Sequence, residues 1–367
     1  MRPLRIGIDA RLSVGSFRGM GRYTREFAAQ CEEQLFWLGH AGQQADALIT
    51  HATGTEAYPV WEQFVLPRLC RELNLDAVLC PYNTGPLGGL GPTRLLLVVH
   101  DLIYLEPGRS VPFGGSPYQV AGRIYRRLIV PKAVARADAL VTVSRFTANE
   151  IYRRMRVGDK PLLVVPNTIE ETWFEGAPAG VKRGKFVLTV SGEAPHKNLY
   201  RVVQAFQEAR TAGTLPRDVR LLVAGVSSAR VSSVAGAIER LGASDSTELM
   251  PYVSAGEMQE LYRTAAFMAF PSLVEGFGIP VLESMASGCP VIVSDRGALP
   301  EVAGDAALVV NPLSVGEIAN GMGRLWSDTA LARELVFKGR RNAERFHPRA
   351  VHPQMRAAWK TLSSLCA

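Results

Sequence analysis

Glu275-Gly-Phe-Gly-Ile-Pro-Val-Leu-Glu283, continued by Ser284-Met-Ala-Ser-Gly-Cys-Pro-Val-Ile-Val-Ser294, decides how the chain is read. An apolar run at residues 265–270 precedes it and reads as a buried strand. Two glycines then punctuate a loop, and Pro280 in a first turn opens a helix over residues 280–287. The entrance of such a helix attracts anions, because its first N–H groups lack intrahelical partners and the positive end of the macrodipole stands behind them. The N–H groups of Phe277, Gly278 and Ile279 are therefore expected to receive a phosphate, with the glycines allowing close approach. Glu275 in the loop and Glu283 in the helix add two carboxylates, each able to accept hydrogen bonds from several hydroxyls. Phosphate and many hydroxyls together describe a nucleotide sugar.

Working outward, the same alternation continues on both sides. Residues 186–190, 221–224, 265–270 and 291–294 read as strands, and 199–212, 231–241, 255–265 and 280–287 as helices. Three helical stretches follow at 317–326, 330–346 and 350–365. The first of these strands ends in Val190-Ser-Gly-Glu-Ala-Pro-His-Lys-Asn198, so Lys197 should stand at the same sheet rim as Glu275. Alone it is an ordinary lysine at a helix start. Beside two carboxylates and a helix entrance it becomes the cation that balances a diphosphate.

Toward the amino terminus, residues 4–8, 47–50, 77–80, 95–99, 139–143 and 162–165 read as further strands. This rhythm predicts a second doubly wound parallel sheet, whose ligands belong at the carboxyl ends of its strands. Asn83, His100-Asp101, Ser144-Arg145 and Asn167 fall there. The loop after the first strand carries Gly15, Gly19 and Gly21 and leads into a helix over residues 23–31. Its GxxxGxG spacing is not the GxGxxG of dinucleotide-binding folds. Residues 167–185, with Gly176, Pro178, Gly180 and Gly184, suit an interdomain connection.

The length of 367 residues fits two α/β domains facing each other across a cleft, and 47% hydrophobic with 20% charged residues fits a globular chain. Asp9 and Arg11 arrive too early for a secretory signal, and no apolar run reaches the roughly twenty residues of a membrane span. A cytoplasmic location is the expectation. Five cysteines without a CxxC pair predict reduced thiols and no zinc site. Of the +7 net charge most lies in residues 1–168, with 20 Lys+Arg against 14 Asp+Glu. The crowded basic stretch over residues 123–160 suits an anionic membrane surface or a phosphorylated partner, with a solvated helix face as the plain alternative. Nucleic acid is not expected, since no binding motif accompanies the charge.

The motifs Arg18-Gly-Met-Gly-Arg-Tyr-Thr-Arg25, His100-Asp-Leu-Ile103, Val165-Pro-Asn167, Pro195-His-Lys-Asn198, Pro271-Ser-Leu-Val-Glu-Gly-Phe-Gly-Ile-Pro-Val-Leu-Glu283 and Leu299-Pro-Glu-Val-Ala-Gly-Asp305 resemble, in order, those of the retaining glycosyltransferases of family 4. The branch nearest in pattern contains mannosyl- and rhamnosyltransferases of bacterial surface polysaccharides. The resemblance implies a GT-B fold. Residues 1–168, completed by 347–367, would form the acceptor-side domain, and 169–346 the nucleotide-sugar domain. It further implies that Glu275 binds sugar hydroxyls, that Glu283 binds the ribose, and that the N–H groups of Phe277, Gly278 and Ile279 bind phosphates. Lys197 would neutralise the diphosphate without metal or other cofactor. Gly19 and Gly21 would approach the donor and His100 the reacting sugar, with Arg22, Tyr23 and Asp101 on the acceptor side. Expected partners are a donor such as GDP-mannose, a saccharide or lipid-linked acceptor, and the inner face of the cytoplasmic membrane.

One departure stands out. Many members place an arginine five residues before the phosphate lysine, where this chain has Gly192. Others place one directly before it, where this chain has His196. The second cation is therefore His196 or an arginine from elsewhere. A partner subunit that binds nucleotide sugar without turnover, and an epimerase of the same architecture, are the competing expectations.

Overall fold

A computed structural model describes residues 2–15, 19–108, 117–175, 183–191, 194–251 and 253–366. Arg18, Gly192 and residues 176–182 of the connection expected at 167–185 lie outside them. The chain divides into two compact units. Unit 1 is Met1–Leu105, Gly115–Thr168 and Arg349–Ala367, and unit 2 is Glu106–Gly114 and Ile169–Pro348.

Unit 1 holds β1 (Arg5–Asp9), β2 (Gln34–Gly39), β3 (His51–Ala52), β4 (Ala77–Cys80), β5 (Arg94–Val99), β6 (Ala139–Thr142) and β7 (Leu162–Val164). They form one parallel sheet in the order β3-β2-β1-β4-β5-β6-β7. Unit 2 holds β8 (Phe186–Val190), β9 (Arg220–Ala224), β10 (Thr247–Met250), β11 (Phe267–Phe270), β12 (Val291–Ser294) and β13 (Leu308–Val310). These are again all parallel, in the order β10-β9-β8-β11-β12-β13. Each sheet starts at its centre, winds to one edge, returns and winds to the other. The strand order reverses between β1 and β4 and between β8 and β11, and such switch points are where open α/β sheets bind ligands. β4, β6, β11 and β12 are buried along their whole length, as strands covered on both faces must be.

The carboxyl-terminal helix, Pro348–Ser364, returns to unit 1. Trp359 stacks on Phe27 at 4.8 Å, and its indole N–H donates to the Phe27 carbonyl at 2.7 Å.

Several sequence expectations are corrected. Residues 47–50 form turns, and the strand of that region is the two-residue β3. β2, β10 and β13 were not anticipated. β10 and β13 are sheet edges and β2 has only β3 beyond it, so each leaves residues half-exposed and lacks the continuous apolar run of a central strand. The first helix is Gly19–Ala28, starting four residues earlier than expected, so Gly19 and Gly21 lie in its first turn. The basic stretch is not one amphipathic element. It is divided among the Pro117–Arg136 helix, β6 and the Arg145–Arg154 helix, and much of its charge is engaged internally. Arg123 is buried and donates to the Tyr104 carbonyl, while Arg153 and Arg154 pair with Glu150.

Candidate functional site

In unit 2 the candidate residues gather at the β8/β11 switch point. β8 leads into the short turn Pro195–Lys197, after which Asn198 adopts a left-handed conformation, φ 63°, and the helix Leu199–Thr211 begins. Asn is among the few residues that accept this region at small cost. Its side-chain amide donates to the carbonyls of Pro271, at 2.9 Å, and Pro312, at 2.7 Å. The N–H of Leu273 donates to the His196 carbonyl at 2.7 Å. The loops following β8, β11 and β13 are thereby fastened together, and Asn198 is the fastening that sequence reasoning passed over.

Fixed in this way, Lys197 Nζ donates to Glu275 Oε1 at 2.8 Å and lies 4.7 Å from the centre of the Phe270 ring. The Glu275 side chain is 10% exposed. Burial alone would raise its pKa, but the positive charge of Lys197, then of His196, outweighs this and holds the carboxyl below its ordinary value. Gly297, φ 68°, passes so close that a Cβ there would sit 2.7 Å from the Glu275 nitrogen and 2.8 Å from its carbonyl oxygen, and Ala298 N–H donates to that oxygen at 3.0 Å. A side chain at 297 would displace the loop.

The helix after the loop is Ile279–Ala286, capped by Gly278 at φ 114°. Among the described residues the N–H groups of Phe277, Gly278 and Ile279 have no acceptor, and Pro280 contributes none. They form a row of donors at a positive helix end, suited to phosphate oxygens. Phe277 is held edge-on by Phe346 at 5.5 Å. Glu283 is half-buried on the same helix, with the Tyr262 hydroxyl 3.5 Å from its Oε2. Burial, then the charge of Glu283, pushes the Tyr262 phenol well above its ordinary pKa, so it stays a neutral donor.

In unit 1, His100 lies buried at the end of β5. Its backbone N–H donates to Asn83 Oδ1 at 2.6 Å, and its Nε2 is 2.9 Å from the Pro81 carbonyl. A carbonyl only accepts, so Nε2 carries the proton. Burial lowers the ring's pKa, which leaves a neutral imidazole with Nδ1 as an acceptor. The Tyr23 ring packs against it edge to face at 5.1 Å. Tyr23 itself is buried, with its hydroxyl donating to the Val165 carbonyl, and its geometry is that of a packing residue behind His100. Asp101 accepts the Ile103 N–H at 3.1 Å and shapes the following turn. Arg22 is half-exposed on the first helix.

Sequence reasoning missed a second buried group at the β1 rim. Arg11 Nε donates to Asp9 Oδ1 at 2.9 Å, and its Nη2 lies 3.5 Å from Glu62, a fully buried carboxylate. The guanidinium stacks between Tyr58, at 4.2 Å, and Trp61, at 4.5 Å. Burial opposes the charge, but Asp9 outweighs it and raises the arginine's pKa. Glu62 is presented by a single π-helical segment, Trp61–Val65, which no sequence pattern announces. No group of three or more His, Cys, Asp or Glu arranged to hold a metal ion occurs among the described residues.

Comparison with known proteins gives the family of the chain. Residues 17–173 match the model of Glycosyltransferase Family 4, and residues 174–342 that of Glycosyl transferases group 1. A curated relative, the MMP alpha-(1->4)-mannosyltransferase of Mycolicibacterium hassiacum, is 32% identical over 60% of this chain and 53% of its own length. The O-antigen chain mannosyltransferase RfbU of Salmonella typhimurium is 29% identical over 60% of this chain and 62% of its own. The chain thus spans between half and two thirds of the length of these relatives. Among solved structures, Anabaena HepE in complex with UDP-glucose superimposes with a TM-score of 0.73 at 15% identity, covering 98% of this chain and 100% of that one. Two doubly wound parallel sheets, a GT-B structural neighbour and two family models matched in succession place the chain in family 4 of the glycosyltransferases.

Proposed function

We propose that the chain is a retaining glycosyltransferase. It moves a hexose, mannose or rhamnose, from a nucleoside-diphosphate sugar such as GDP-mannose to a saccharide or lipid-linked acceptor of surface polysaccharide, working in the cytoplasm at the inner face of the cytoplasmic membrane. The observation that carries the reading is the Lys197–Glu275 pair beside the unpaired N–H row at Phe277, Gly278 and Ile279. A cation and three donors suit a diphosphate, and adjacent carboxylates suit hydroxyls. The mannosyltransferase names of the two relatives, and the UDP-glucose held by a protein of the same fold, support the donor class.

In this reading unit 2 holds the donor. The helix entrance takes the phosphate oxygens, Lys197 and the neighbouring His196 balance their charge, Glu283 takes the ribose hydroxyls and Glu275 the sugar hydroxyls. To unit 1 the reading assigns His100, whose Nδ1 accepts a hydroxyl of the reacting sugar, together with Gly19 and Gly21, small enough for close approach, and the acceptor-side residues Arg22 and Asp101. As the glycosidic bond to the diphosphate breaks, an oxocarbenium-like sugar forms. The acceptor hydroxyl adds on the face the diphosphate leaves, and a phosphate oxygen takes its proton. No enzymic nucleophile is needed, and the charge that develops on the leaving group is met by donors already in place.

A thermal-shift screen of UDP, GDP and their hexoses tests the proposal, because a bound ligand raises stability according to how far it exceeds its Kd. A shift with one nucleoside diphosphate, and α-linked product from its α-linked sugar by NMR, is the expected outcome. Isomerised donor without transfer would replace this reading with the epimerase one, and binding without turnover with the partner-subunit one.

A further inference from the structure

The Pro117–Arg136 helix shows solvent aliphatic residues interleaved with basic ones. Ala121, Ile124, Leu128, Lys132 and Ala135 are exposed along one stripe at helical spacing, with Ile124 at 48% and Leu128 at 58%. The opposite side, including Val130, Ala133 and Val134, is buried in unit 1. A surface helix ordinarily shows the reverse, polar residues outward, so this stripe lacks a cover. The helix contains five basic residues and no acidic one, and Arg126, Lys132 and Arg136 are exposed. The neighbouring segment, joined by Gln63 donating to the Tyr125 hydroxyl at 3.1 Å, adds exposed Val60 and Phe64, at 46% and 71%.

We infer that this helix lies in the surface of an anionic phospholipid bilayer, its aliphatic stripe inserted among the acyl chains and its basic residues among the headgroups. The inference rests on the membrane location proposed above and specifies how contact is made. Length suits it, since 20 helical residues extend about 30 Å in the membrane plane, and no helix among the described residues is long and apolar enough to cross a membrane. Charge selects lipid over a second copy of the chain. In a two-fold contact the exposed cations Arg126, Lys132 and Arg136 would meet their own copies, whereas anionic lipid compensates them. Attachment therefore combines a screened electrostatic part with an apolar part that salt does not weaken.

The test is co-sedimentation of the full chain with phosphatidylglycerol–phosphatidylcholine vesicles, at low salt and at about 0.5 M salt, where the screening length falls to a few Å. The wild type should pellet at low salt and remain partly bound at high salt. The Ile124→Ser/Leu128→Ser variant should bind at least about tenfold more weakly and lose the salt-resistant fraction, while Phe337→Ser, which removes an equally exposed ring in unit 2, should bind as wild type. Both positions are solvent-exposed, so the thermal midpoint should hold. Equal pelleting of wild type and double variant, absence of wild-type pelleting, or a wild-type dimer that the double variant abolishes in sedimentation velocity would each overturn the inference. Nucleoside-diphosphate binding is measured in parallel. Vesicle binding lost with nucleotide binding intact removes the docking helix alone, and the converse removes the glycosyltransferase reading alone.

Discussion

Lys197 donates to Glu275 across 78 residues of sequence, with the Phe270 ring 4.7 Å from Lys197 Nζ and the charge of His196 also acting on the carboxylate. Lys197 keeps the Glu275 carboxylate ionised. Lys197→Ala would leave Glu275 nearly buried without its main compensation, at a stability cost of about 1–3 kcal/mol. In the proposed function the same substitution should weaken nucleoside-diphosphate binding roughly 10- to 100-fold. pH separates the two effects. Because Glu275 is held below the ordinary carboxylate value, its contribution to stability is complete above about pH 4.3, the unfolded value, and is lost as pH falls through the folded one. In the variant burial acts alone and favours the neutral acid. The stability gap in urea unfolding should therefore be largest near pH 7 and close toward acid pH; a gap constant with pH would detach Glu275 from Lys197.

Asn198 ties the loops after β11 and β13 to the Lys197 turn through two side-chain hydrogen bonds while holding a positive φ. Asn198→Gly keeps the backbone freedom and loses only the bonds, for about 1–3 kcal/mol. Asn198→Ala loses both and should cost about 1 kcal/mol more. Because the fastening sets where Lys197 stands, both variants should also bind nucleoside diphosphate more weakly than their stability loss explains, measured well below their unfolding midpoints. Nucleotide affinity equal to wild type would reduce Asn198 to a structural pin.

Gly278, in the Glu275 loop, and Gly297, packed against that loop from the one after β12, should differ. A Cβ at Gly297 meets backbone atoms of Glu275, which cannot move without moving the carboxylate, whereas at Gly278 it meets the end of the Leu299 side chain, 2.6 Å away. Both positions carry the left-handed cost of about 1 kcal/mol or more. Gly297→Ala adds overpacking of about 1–3 kcal/mol against rigid neighbours. Gly278→Ala with Leu299→Ala should recover part of the overlap, and no partner substitution should rescue Gly297→Ala. Urea midpoints of the three variants check this.

These residues also show how far sequence carries. The central strands were legible because burial on both faces demands an unbroken apolar run, as at Ala77–Cys80 and Val291–Ser294. The placement of Glu275, Lys197 and His100 just beyond strand ends was legible from the apolar runs that precede them. Asn198 stands within the Pro195–Asn198 motif, but its role depends on carbonyls at Pro271 and Pro312, far along the chain. Glu62 depends on one π-helical turn, and the exposed stripe on the phase of the Pro117–Arg136 helix, which composition does not reveal. Charge counted along the basic stretch likewise ignores that Arg123 turns inward to the Tyr104 carbonyl.

His100 yields the last prediction. Burial, only partly offset by the Pro81 carbonyl and Asp101, lowers its pKa below the ordinary 6.5. The unfolded chain thus binds a proton near pH 6.5 that the folded chain refuses, and stability should fall as pH drops below about 6.5 until the folded ring titrates. His100→Gln, an uncharged side chain that retains a donor and an acceptor, should flatten that segment of the stability profile. The neutral ring also means that activity changes between pH 6.5 and 8 do not come from His100, and the proposed function makes His196, whose charge acts on Glu275, the group to test. If the pH profile of turnover in this window is lost in His196→Ala and kept in His100→Gln, the missing second phosphate cation is His196. If both variants keep it, an arginine fills that place instead.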